Sequence, residues 1–91
     1  MTLHRYSARR DANETALIGF LEQLGFQVTR LSGTGVPDLL LSRRQLWHVA
    51  EVKMPEGRHR PRQREFRDLH RAPVATLVTA TDCLNLSDSV P

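Results

Sequence analysis

The sequence predicts an α/β fold: a helix, three strands, a second helix and a fourth strand, an αβββαβ core with a central mixed sheet flanked by helices. Three features carry this reading. Leucines recur at helical spacing from Leu17 to Leu24. Two β-like runs, Pro37 to Ser42 and Leu46 to Lys53, are separated only by Arg43 and Arg44. A segment opened by Pro61 and closed by Pro73 then leads into the apolar run Val74 to Thr79.

The first helix is expected from about Asp11 to Leu24, with Leu17, Leu21 and Leu24 in one stripe and Ala16 and Phe20 beside it. Asp11 can cap its start, and Gly25 supplies its stop. Phe26 to Leu31 reads as a short strand that directs Phe26 and Val28 to one face and Gln27 and Thr29 to the other. Ser32-Gly33-Thr34-Gly35 is a loop. The next two runs form a hairpin whose turn is placed between Arg43 and Arg44, pairing Ser42 with Gln45. Met54-Pro55-Glu56-Gly57 then breaks the sheet. Pro61 opens the second helix, where a missing N–H costs nothing; it extends to Ala72, with Phe66 and Leu69 on one side. A parallel pairing of the third and fourth strands would make the intervening helix a right-handed crossover. From Asp82 to Pro91 the sequence reads as a polar, fraying tail.

Ninety-one residues make a single domain, 1–91, with one small core. So short a chain gains stability by pairing, which makes a homodimer an expectation. No apolar run approaches the roughly 20 residues needed to span a bilayer, and no signal-peptide pattern follows Met1, so a cytoplasmic location is expected. Cys83 is the only cysteine, which excludes an internal disulfide or a zinc knuckle and suits a reducing compartment. The net charge is +3, and Lys53 is the sole lysine. Arg58, Arg60, Arg62, Arg64, Arg67 and Arg71 cluster in one segment, where guanidinium groups can fork onto phosphate oxygens. The alternative is a solvated helix face partly neutralised by Glu65 and Asp68.

Strand alternation puts Glu51 and Lys53 on one face of the sheet, together with Val49 and Trp47. With the turn at Arg43 and Arg44, Asp38 falls opposite Val49 and becomes a diagonal neighbour of Glu51, about 7–8 Å away between Cβ atoms. Two carboxylates at that spacing can converge on one hard cation. A one-residue slip would put them on opposite faces. The other face carries Leu39, Leu41, Leu46, Ala50 and Val52, an apolar surface for a helix. Taken alone, Glu-x-Lys is more often a solvated cross-strand pair than a catalytic site. Trp47 could stack a base or lie in a core or interface, and His48 suits a packed position under a helix.

Gly35-Val36-Pro37-Asp38-Leu39, Glu51-Val52-Lys53 and Pro61-Arg62-Gln63, preceded by Glu14 on the first helix, form a pattern that resembles the virus-type replication-repair nuclease (VRR-NUC) domains of the PD-(D/E)xK superfamily. The resemblance runs from about Glu14 to Thr79. It implies a restriction-endonuclease-like fold and a Mg²⁺ or Mn²⁺ ion held by Asp38, Glu51, the Val52 carbonyl and Glu14. Lys53 would be a general base or an electrostatic clamp, and Gln63 would join the site. Arg58, Arg60, Arg62, Arg64 and Arg67 would contact DNA. Glu14 keeps a second reading, as part of a capping box with Asp11. The Ala72-Pro73 connection departs from the glycine often found there, and the domain is expected to stand alone, without the larger recognition modules of some members. Stand-alone members resemble viral and phage proteins and suit a homodimer that cuts branched DNA such as four-way junctions. Two alternatives remain open at this point: a module that binds DNA without cutting it, and a sequence-specific restriction-like nuclease.

Overall fold

A computed structural model describes the backbone of residues 2–54 and 61–91, and the side chains of residues 12–54 and 63–91. The element order is α1 (Thr2–Gln23), β1 (Gln27–Arg30), β2 (Leu39–Arg43), β3 (Leu46–Val52), α2 (Pro61–His70), β4 (Ala75–Leu77) and α3 (Ala80–Ser89). The strands form one mixed sheet in the order β1-β2-β3-β4, antiparallel except for the parallel β3–β4 pair. The expected αβββαβ core is present, extended by a third helix. No helix among the described residues is long and apolar enough to cross a membrane.

α1 starts nine residues earlier than its apolar stripe suggests, at Thr2 rather than about Asp11. The early turns lack the leucine stripe from which the helix was read. Asp11 therefore lies within the helix and not at its start, so it does not occupy the N-cap position that the capping-box reading of Glu14 needs. At the other end the backbone closes as a Schellman motif: Phe26 N–H donates to the Leu21 carbonyl at 3.1 Å and Gly25 N–H to that of Glu22 at 3.0 Å. Gly25 carries the φ of 94° that this ending needs. Leu17 and Leu21 are buried as the stripe predicts, whereas Phe20 is 40% exposed.

The core lies on the sheet face formed by Leu39, Leu41, Ala50, Val52 and Leu77, against Leu17 and Leu21 of α1, Phe26 and Cys83. Leu46, expected on this apolar face, sits at its hairpin end and is 44% exposed. The segment expected to fray is instead α3, with Cys83 fully buried. Its start is marked by Thr79-x-x-Asp82: the Asp82 carboxylate accepts from the N–H groups of Val78 (2.8 Å) and Thr79 (2.9 Å). Polar residues on the outer side of α3 hide this in a hydropathy reading.

The β2–β3 turn also differs from expectation. Arg43 pairs with Leu46, and the two loop residues are Arg44 (φ 52°) and Gln45 (φ 66°), both in the left-handed region that a two-residue hairpin loop favours. What holds Arg43 in the strand is its guanidinium. It stacks 4.1 Å from the Phe26 ring centroid and donates to the carbonyls of Leu24 (3.0 Å), Ser87 (2.8 Å), Val90 (2.9 Å) and Pro91 (2.9 Å), and to Ser87 Oγ (2.7 Å). This one side chain ties the hairpin to the ends of α1 and α3.

Arg43→Ala is expected to destabilise the fold by about 2–3 kcal/mol, since several half-buried carbonyls lose their donor, and Arg43→Lys should recover little because an ammonium cannot fork in this way; urea unfolding measures both. Burial, with Asp82 adding to it, raises the Cys83 thiol above its ordinary value of 9.0. A thiol raised on folding contributes stability below its unfolded pKa and loses it as pH rises through the folded one. Stability should accordingly fall above about pH 9, and Cys83→Ala should flatten that alkaline decline in urea titrations across pH.

Candidate active site

The site is built on the sheet face opposite the core, at the end where β2 begins and β3 finishes. The ladder pairs Leu39 with Ala50, so one step further on Asp38 comes opposite Glu51. The register thus aligns Asp38 with Glu51, in place of the diagonal relation expected, and Asp38 Oδ2 is bonded to the N–H of the next residue, Val52. The hairpin register differs by two residues from the sequence reading, which preserves the face, so the alternation keeps both carboxylates on one side.

Local bonds hold each group. Asp38 lies in the bend before β2, after the buried Pro37; its Oδ2 accepts from Val52 N–H at 2.8 Å, and its carbonyl accepts from Leu31 N–H at 2.8 Å. The carboxylate is therefore fastened one peptide unit from the Val52 carbonyl. Glu51 is fully buried, and its Oε2 lies 3.4 Å from Arg67 of α2. Lys53 follows β3, its N–H bonded to the Leu77 carbonyl at 2.9 Å. Its Nζ donates to Gln63 Oε1 at 2.5 Å, and Gln63 is buried in the first turn of α2. Residues from the bend before β2, from β3, and from α2 thus meet at one end of the sheet.

Glu14 reaches the same end from another side. Asn13 Nδ2 donates to the Lys53 carbonyl at 3.4 Å, which brings α1 to the end of β3. Glu14 is buried, with Arg30 Nε at 3.7 Å from its Oε1, and Arg30 also donates to Thr15. Among the described residues no three His, Cys, Asp or Glu side chains gather as a metal group.

The arginines divide. Arg58 and Arg60 lie outside the described residues, as does the side chain of Arg62. Arg64 is exposed on α2. Arg67 turns inward, donating to Glu51, to the Val74 carbonyl at 3.1 Å and to Thr76 Oγ1 at 3.0 Å. Sequence reading grouped Arg67 with the phosphate contacts. Its register with Gln63, one turn earlier on α2, is the signal that it could instead face the sheet.

The donor set fits a hard divalent cation. Mg²⁺ is commonly held by one or two carboxylates and completes its octahedron with water. Asp38 and Glu51 with the adjacent Val52 carbonyl supply oxygen donors of that kind. The chain was compared with protein-family models, curated proteins and solved structures, and it matches none of them.

Arg67→Ala removes one ion-pair partner from a fully buried carboxylate, and the pair is partly open to water on the Arg67 side. A loss of about 1–2 kcal/mol is expected, moderated from the fully buried case by that exposure. Glu51→Gln in the Arg67→Ala background should restore part of it, as a double-mutant unfolding cycle will show.

Proposed function

We propose that this chain is a divalent-metal-dependent DNA endonuclease that hydrolyses phosphodiester bonds in branched DNA such as four-way junctions, in replication, recombination or repair. The observation that carries the reading is that Asp38 is fastened to Val52 N–H, next to the buried Glu51, beside the Lys53–Gln63 hydrogen bond. The resemblance of these same residues to the VRR-NUC pattern supports it and supplies the substrate class.

Asp38, Glu51 and the Val52 carbonyl would hold Mg²⁺ or Mn²⁺. When bound, such an ion lowers the pKa of water, polarises the phosphoryl oxygen and steadies the leaving 3′-oxygen. The protein's own groups do the rest. Val52 N–H holds Asp38 Oδ2, so that carboxylate does not have to be ordered when substrate arrives. Arg67 holds Glu51 from the opposite side. Lys53, gripped by Gln63 Oε1, presents its amine to the scissile phosphate, where it orients the attacking water and offsets developing negative charge. The basic segment around α2 adds sequence-independent attraction for the phosphate backbone. A homodimer would offer two such centres to two strands of a junction.

Purified protein with labelled four-way junction, flap and duplex DNA should cut the branched substrates in Mg²⁺ or Mn²⁺ and none in EDTA. Asp38→Ala and Lys53→Ala should each lower the rate by about 100-fold or more. Cutting by these variants at the wild-type rate would defeat the proposal. Metal-independent, salt-sensitive binding with no cleavage would identify a DNA-binding module instead.

A further inference from the structure

The sheet face that carries Asp38 and Glu51 continues toward the hairpin, while the bonds of α2 to the sheet, through Gln63 and Arg67, reach Lys53, Glu51 and Thr76 at its other end. Trp47 lies on this face in β3, four residues before Glu51, and is 72% exposed. Its cross-strand neighbour is Ser42, whose own neighbour in β1 is Gln27, so small and polar side chains leave the indole uncovered. The rise of a strand puts Trp47 about 13 Å from Glu51, which is roughly four nucleotides of a stacked strand.

Two concavities flank this ring. One is a 760 Å³ groove that runs from Trp47 past Val49 to Arg67 and Arg71, and so reaches the arginine that contacts Glu51. The other, of 370 Å³, joins Trp47 to Gln27, Ser42, Arg43 and Arg44. Among the described residues, neither is lined by an aspartate or a glutamate. Arg44 and Arg71 are both exposed, and each lines one of the two concavities that Trp47 shares. An open aromatic face at the mouth of concavities that hold arginines and apolar side chains but no carboxylate is the chemistry that binds unpaired bases and their phosphates.

We infer that Trp47, with Arg44 and Arg71, forms a subsite for a single-stranded nucleic-acid segment, in which the indole stacks an unpaired base while the arginines hold the flanking phosphates. This rests on the proposed nuclease reading and extends it: the substrate engages the enzyme through unpaired bases beside the cleavage centre. A fully paired duplex cannot offer a free base face to the ring.

Trp47 is the only tryptophan in the chain, so its fluorescence reports this site alone. The test titrates the full chain in EDTA, where no cleavage is expected, with a single-stranded oligothymidylate and separately with a blunt duplex. Fluorescence and anisotropy of labelled DNA are read together. The single strand should quench the tryptophan saturably, in step with anisotropy, and the duplex should quench it much less. Trp47→Ala should weaken single-strand binding about 10-fold or more, and Trp47→Phe should keep most of it. Saturable binding with unchanged fluorescence, equal quenching by the duplex, unchanged affinity in Trp47→Ala, or no binding would each overturn the inference. A tryptophan signal that follows protein concentration rather than DNA would do so too, by assigning the ring to a contact between copies. The cleavage assay with Asp38→Ala and Lys53→Ala is separate from this readout, so failure of the subsite and failure of the nuclease reading are told apart.

Discussion

The pairing of β2 with β3 is the constraint on which the rest depends. One register brings Asp38 opposite Glu51, puts Leu39 and Leu41 under α1 and α3, and leaves Trp47 on the open face. The two-residue loop at Arg44 and Gln45 sets that register, and Arg43 anchors it. Its guanidinium fork collects carbonyls from the end of α1 and from Ser87, Val90 and Pro91 while stacking on Phe26. An arginine that joins three parts of the chain in this way contributes to position as much as to stability.

The site shows a balance between stability and chemistry. A fully buried carboxylate is costly unless it is paired or binds metal. Arg67 supplies cationic compensation to Glu51 from α2 and is itself fastened to Val74 and Thr76. Asp38 has its compensation from a backbone N–H, and Lys53 is steered by Gln63. The charged groups are thus held in place by the protein itself, the arrangement that would lower the reorganisation needed in the proposed hydrolysis.

The principal elements were readable because their periodicities are strong. The α1 stripe, the alternating hairpin and the proline-bounded α2 each carry a local signal, and all appear. What escaped has physical causes. The first turns of α1 lack the apolar stripe, and α3 is marked only by the cap at Thr79 and Asp82 and by the buried Cys83. Arg67 was read by its charge, which suits phosphate, while its place on the helix turns it to Glu51.

By itself the sequence determined the order of the first six elements, the apolar face of the sheet and, given a two-residue hairpin loop, the sharing of one face by Asp38, Glu51 and Lys53. Alternation with a period of two makes that last property immune to a two-residue slip. For the same reason, the pattern could not distinguish a turn at Arg43 and Arg44 from one at Arg44 and Gln45. Only the tertiary structure decided it, because Arg43 must stay in the strand to reach Leu24 and the carbonyls around α3, contacts made by residues far apart in the chain. The exposure of Trp47 was likewise decided there, by the small and polar neighbours, Ser42 and Gln27, that the strand pairing sets beside it.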